Sequence, residues 1–247
     1  MKNTNKKSML VIAMSICTLA LFVMSITIVN VFAYEKSAYA AEVNSVKYEN
    51  YADAWAAVEN GGTITMLKDW NIEKVLTVNE NKTVNVKMNG FMINRGLNGK
   101  ASSGEVFLVK SGASLNIEGE ANSTVEHKGN IQGDMWHYNL DGKHVIKGAL
   151  ITGGYNSNGG GAIHIEKNAA VKIENVTIAG NATTDGSGAG AIRLQGENSK
   201  LTAYDSDICY NKVTDSNGAA IVVDGKGAVA QLLGTKINNN VDRKSVV

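Results

Sequence analysis

The chain has 247 residues, a formal net charge of +1, 44% hydrophobic but only 6% aromatic residues, 26 glycines, no proline and two cysteines. A charge this close to neutral excludes the basic face that nucleic-acid binding requires. Two cysteines, one of them inside an N-terminal apolar run, exclude a disulfide-stapled scaffold.

Residues 1–40 read as a secretory signal peptide. Lys2, Lys6 and Lys7 precede an apolar run from Met9 to Tyr34, and Ala38-Tyr39-Ala40 offers a small-residue cleavage site before Ala41. The run is also long enough to span a bilayer, so an uncleaved anchor is the competing reading and the one route to membrane contact. Without Lys2, Lys6, Lys7, Lys36 and Glu35, the 24 basic and 23 acidic residues become a net charge of about −2. Cys17 leaves with the leader. Cys209 stays as a single thiol beside Ile208 and reads as a small core residue, without the neighbouring His that a reactive thiol needs. A secreted chain this poor in cysteine reads as bacterial, either released or held at the cell surface.

Residues 41–62 read as an N-terminal cap with one short helix over "YENYADAWAAVENGG". Asn50 caps it, Asp53 completes a capping box, and Gly61-Gly62 stops it. Tyr51, Trp55 and Val58 share a face, which suits a lid over the end of a stacked core.

From residue 63 the pattern changes to short alternating strands between Gly, Asn, Asp and Ser turns, as in "VKIENVTI". An opening Ala recurs every 29 residues at Ala162, Ala191 and Ala220, and each copy closes on Ile178/Asn181, Ile208/Asn211 or Ile237/Asn240. Such a period marks a solenoid, in which each strand buries its apolar face only by stacking on the next coil. Aligning the apolar residue five before the recurrent Ile gives Leu67, Met88, Ile117, Ile146, Ile173, Ala203 and Leu232, and hence about seven coils. Ile72, Ile93, Ile151 and Ile178 are the mates, and Asn122 breaks the pattern after Ile117. The Asn at 181, 211 and 240 reads as a left-handed turn residue whose amides also stack in a ladder.

The N-terminal coils, with "GGTI" opening Gly61–Leu67, then Asp69 and Asn89-Gly90, resemble those of right-handed parallel β-helix, pectin-lyase-like proteins of bacterial surfaces. The "GGAI" of Gly160–Ile163, followed by "TIAGN", is similar in degenerate form to the short repeats of polymorphic outer-membrane adhesins. The fold expected is therefore all-β, a single-stranded right-handed parallel β-helix over 63–240, with 241–247 unstructured or truncated. An uncapped last coil exposes strand edges, so either a longer surface protein continues it or the end pairs with a partner.

The resemblance implies two kinds of function. Enzymes of this fold hold calcium with clustered carboxylates and use Arg or Lys as base, or set several Asp with His and Arg on adjacent coils. Strand alternation puts His164 and Glu166 outward, with Arg193 one coil on and His137 one coil before, so His164, Arg193 and Glu166 are the catalytic candidates. A solvated face is the bland reading of the same residues. No cofactor is called for. Calcium enters only through Asp205 and Asp207, placed on one strand face, with Asn175 and Thr177 at the equivalent positions one coil earlier. The segment 126–146 breaks the alternation and concentrates Trp136, His137, Tyr138 and His144, which are the binding candidates, with core filling by Trp136 or Tyr138 as the alternative. The expected function is a secreted or cell-surface adhesive module for an extracellular glycan or surface protein. The alternative is a lyase or hydrolase of an extracellular polysaccharide, and a structural spacer is a third reading.

Overall fold

The computed structural model describes residues 37–184, 188–214 and 218–242. Most of the leader assigned to residues 1–40, and residues 243–247 of the expected end, lie outside these.

Beyond Gly62 the chain winds as a parallel β-solenoid of about five turns. Its first wall stacks Thr63–Met66, Thr83–Lys87, Ser114–Glu118, Ala170–Glu174, Lys200–Tyr204 and Val229–Leu233. The second stacks Trp70–Asn71, Met92–Asn94, Ala149–Thr152, Val176–Ala179, Asp207–Cys209 and Lys236–Asn238. The third stacks Leu76–Val78, Phe107–Val109, Ile163–Ile165, Ile192–Gln195 and Ile221–Asp224. A short ladder between the second and third walls ends on Val241–Asp242, two residues past the end expected at 240.

Three apolar columns fill the interior. Ile64, Val86, Ile117, Ile173, Ala203 and Leu232 lie in register on the first wall. Trp70, Ile93, Ile151, Ile178, Ile208 and Ile237 do so on the second. Leu76, Phe107, Ile163, Ile192 and Ile221 line the third. Each Val, Leu, Ile or Phe in these columns that is fully buried contributes about 1.5–3 kcal/mol that no isolated strand could gain. In the last turn the columns run into solvent, with Leu232 38% and Ile237 47% exposed.

The count of seven coils is corrected by the segment after Glu118. The chain leaves the solenoid there, forms a three-stranded antiparallel sheet, and re-enters at Ala149. Ile117 and Ile151 therefore belong to one turn. Ile146 is in no column; it pairs with His127 inside the excursion. Leu67 and Met88 also miss the column, which holds Ile64 and Val86 instead. In later turns one or two residues join the first wall to the second, but Met88 to Phe91 bridge it in the earlier one, so a fixed five-residue offset slips.

The corners explain where Asn and Gly fall. Asn175, Asp205 and Gly234, at φ 54°, 43° and 64°, turn the chain between the first two walls. Asn81, Gly112, Asn168, Asn198 and Gly227 do the same before the first wall. The left-handed residue of the repeat's closing turn is Gly180, Tyr210 or Asn239, not the Asn that follows, which corrects half of the expectation for that Asn. The other half holds. Asn181 Nδ2 donates to Asn211 Oδ1 at 3.0 Å, and Asn211 Nδ2 to Asn240 Oδ1 at 2.9 Å. Each amide also bonds main-chain carbonyls of its own and the preceding turn, including Ile151, Ile178 and Ile208.

Helix α1, Tyr51–Ala57, seals the first turn. Asn50 Oδ1 accepts from the Asp53 amide at 2.9 Å, and Trp55 packs on Phe107 while its indole N–H donates to the Thr77 carbonyl. The helix stops at Ala57, before the glycines. A β-hairpin, Ala41–Val43 with Val46–Tyr48, adds two antiparallel strands to the edge of the first wall. Its Asn44-Ser45 turn, both residues at positive φ, was the signal in the sequence. No helix among the described residues is long and apolar enough to cross a membrane.

Two predictions follow from this interior. Asn211→Ala leaves buried donors and acceptors on two neighbouring turns unpaired and should destabilise the protein by about 3 kcal/mol in urea unfolding; a loss below about 1 kcal/mol would reduce the ladder to turn geometry. Glu105 is buried near the Asn156 amide, and burial pushes its carboxyl above the ordinary range despite the opposing Arg95 charge. Its folded form thus holds the proton more tightly than the unfolded one. The stability it lends is full below about pH 4, where an unfolded glutamate is also protonated, and is lost as pH rises through the raised folded value. Glu105→Gln should therefore gain stability at neutral pH and little in acid; an equal gain at both would contradict this origin.

Candidate binding cleft

The excursion consists of Glu126–Gln132, Met135–Tyr138 and His144–Lys147, with the first strand central. Gly133 and Asp134, both at positive φ, make its two-residue hairpin turn. It packs on the outer face of the second wall. Met92, Leu150, Ala179 and Cys209 alternate with the inward isoleucines and would otherwise face water, and the excursion covers them with Trp136. The adjacent apolar pair Leu150-Ile151 is the sequence mark of a strand buried on both faces.

Trp136, 1% exposed, is the centre of this second core. Its indole N–H donates to the His144 carbonyl, and its ring lies over Gly129, where a Cβ would collide with it. The core-filling alternative is thus realised, but outside the solenoid instead of within it. Trp136 offers no free ring face. At the base, His127 is buried with Nε2 at 2.9 Å from the Gly90 carbonyl oxygen. At the tip, Lys212 donates to the Gly133 carbonyl at 2.8 Å.

Where the excursion meets the corner beyond the second wall it leaves a cleft of about 350 Å³. Thr152, Gly153 and Gly180 come from the solenoid itself. The loop after Met92–Asn94 supplies Asn94, Leu97 and Asn98. The excursion supplies Asn130, Gln132, Met135 and Asn139, with Trp136, His137 and Tyr138. Gly180 is needed there, since a Cβ would lie 2.7 Å from Thr152 Oγ1 and collide with the Trp136 carbonyl. Half-buried His137 has its imidazole pushed below the ordinary range by burial, with the Lys212 charge adding to it. Burial, then the charge of Asp69, pushes the Tyr138 hydroxyl above its ordinary range.

Three of the four expected binding residues therefore border one cleft. His144 does not; it is exposed on the outer strand of the excursion. The amides Asn94, Asn98, Asn130, Gln132 and Asn139 were missed. The long Gly/Asn-rich corner "NRGLNGKASSG" from Asn94 was the available signal.

The expected row of His137, His164 and Arg193 does not form. The third wall stacks Leu108, His164, Arg193 and Val222, because His137 sits on the excursion. Arg193 is 3% exposed and bonds Asn158 Oδ1 at 3.1 Å and Asp224 Oδ2 at 3.4 Å. His164 Nε2 lies 2.7 Å from Gln195 Oε1, and burial, with the Arg193 charge, pushes its imidazole down. Glu166 turns the other way and accepts from the Ser111 amide and hydroxyl. These three candidates are neighbours in the fold but hold structural partners.

Asp205 and Asp207 are not on one strand. Asp205 occupies the left-handed corner, and Asp207 opens the next strand in register with Thr177. Asp207 Oδ1 is buried without a hydrogen-bond partner among the described residues. No group of three His, Cys, Asp or Glu among those residues could hold a metal, short of the six to eight oxygens calcium takes unless main chain and water supply most of them.

The fold defines a parallel β-solenoid carrying a lateral β-excursion. No family model, curated protein or solved structure matches the chain.

Cys209 reports on the second core. Burial pushes its thiol up to about 12, so it should resist alkylation at neutral pH. Trp136→Ala should expose it, speeding alkylation at least tenfold and releasing amide-exchange protection over residues 126–147 while the inward columns stay protected. Simultaneous loss of protection throughout would show the excursion and solenoid to be one cooperative unit.

Proposed function

We propose that this protein is a secreted or cell-surface bacterial binding module, and that the cleft beside the excursion takes an extracellular glycan without turning it over. The observation that carries this reading is the convergence of amides from two separate segments, joined by Tyr138 and His137, on one concave site. Pockets that bind small ligands combine an apolar surface with a few placed polar groups, and Leu97, Met135 and Tyr138 supply the former here. The export-type leader and the resemblance to pectin-lyase-like proteins and GGAI-repeat adhesins point to the same setting. A surface protein is the other partner such adhesins suggest. Calcium is not needed in this reading, because the cleft offers neutral groups.

The enzymatic alternative, a polysaccharide lyase or hydrolase, would place its chemistry on the third wall at His164 and Arg193. The burial of Arg193 and its bonds to Asn158 and Asp224 weigh against that.

The purified protein should show saturable binding on a glycan array, undiminished by EDTA and without product release. Tyr138→Ala should weaken it about tenfold or more. Release of oligosaccharide that stops on Arg193→Ala would overturn the reading in favour of the enzyme.

A further inference from the structure

We infer that the cleft selects an uncharged, hydroxyl-rich sugar over a uronate or phosphate-bearing one. This rests on the glycan-binding reading and names the chemical class of its ligand.

The first argument is the state of the polar groups. Asn130 Oδ1 accepts from the Lys143 amide at 3.2 Å, and Asn139 Oδ1 from the Asp141 amide at 2.9 Å. Both carboxamides are thereby oriented, with their Nδ2 groups left to donate. Asn98 and Gln132 make no side-chain hydrogen bond among the described residues and keep a donor and an acceptor each. Thr152 and Tyr138 add hydroxyls of the same dual character. A sugar hydroxyl both donates and accepts, so this set matches a ring bearing several of them.

The second argument is charge. Strong carboxylate or phosphate recognition uses a guanidinium fork or an ammonium, and the lining holds neither Arg nor Lys. Lys212, the cation acting on His137, has its ammonium on the Gly133 carbonyl. The charge that acts on the Tyr138 hydroxyl is the anion of Asp69, which disfavours a second anion beside it. Burial favours the neutral form of His137 as well.

The third argument is size and surface. About 350 Å³ is at the lower end of the range of about 300–1,000 Å³ for ligand pockets, which fits one or two sugar rings more than a long enclosed polymer segment. Leu97, Met135 and the Tyr138 ring present apolar surface to the C–H face of such a ring.

The test is isothermal titration of the full chain with matched pairs differing only at C6: galacto-oligosaccharides against oligogalacturonates, and gluco-oligosaccharides against oligoglucuronates. The neutral member of at least one pair should bind at least about tenfold tighter, with affinity unchanged between about 50 and about 500 mM NaCl. Asn98→Ala and Gln132→Ala, both at exposed positions where folding should be unaffected, should each weaken it several-fold. Tighter uronate binding that the same variants abolish would overturn the neutral-ligand inference and leave glycan binding standing. Neutral binding that ignores both variants would overturn the assignment to this cleft. No binding to any member would remove the glycan-binding reading and the inference with it.

Discussion

Each strand of this protein has an apolar face too small to hold itself together, and the fold depends on every turn returning to the same register one strand spacing, about 4.8 Å, further along. Backbone ladders enforce the spacing, and left-handed corners enforce the return. Asn175, Asp205 and Gly234 show what the corner demands: three different residues at one backbone geometry. What they share is the ability to enter the left-handed region at low steric cost. Tyr210, at φ 54°, is tolerated at another corner because the Asn ladder on either side fixes the backbone around it.

That ladder is the polar counterpart of the isoleucine columns. Asn181 and Asn211 are fully buried, and each spans turns by donating to carbonyls of its own and the preceding turn. A buried amide is tolerated only when it is satisfied, and stacking identical residues at equal height satisfies it repeatedly. Glu105 and Asp207 depart from this in degree. The first meets burial with a raised carboxyl, and the second with an unpartnered oxygen.

The repeating part of the fold was legible in the sequence because its period is constant there. From Ile173 onward the expected column and the Asn ladder are present, and Arg193 lies one coil on from His164 as expected. Legibility failed where the period did. Ile146 mimicked a column residue because an excursion of nearly one coil length preserved the spacing while leaving the solenoid. The same accident placed His137 under His164. The cleft was half legible: aromatic enrichment marked Trp136 to Tyr138, but the facing amides were marked only by the Gly/Asn-rich composition of the corner from Asn94, which reads equally well as a plain turn. Nothing in sequence separates Trp136 as an anchor from Tyr138 as a lining group, since both share one face of a short strand and pack on the same second core, and only the degree of burial distinguishes them.

The same periodicity is the reason a binding site is proposed at the interruption. On a regular solenoid face, outward polar residues meet others about 4.8 Å above and below, and many of them satisfy each other across turns. Asn116 donates to Asn85 at 2.8 Å, Asn198 to Asn168 at 3.2 Å, and His164 meets Gln195 at 2.7 Å. Such a face has little hydrogen-bonding capacity left for a ligand, whatever its composition. Beyond Asn94, which still donates to Asn71 one turn back at 3.1 Å, the excursion and the long corner facing it have no copies to pair with. Their amides are held in place by local turns, as in Asn130 and Asn139, yet keep unpaired groups. A solenoid that binds through directed hydrogen bonds must therefore break its own repeat to do so, and the second core around Trp136 is what holds that break against the wall.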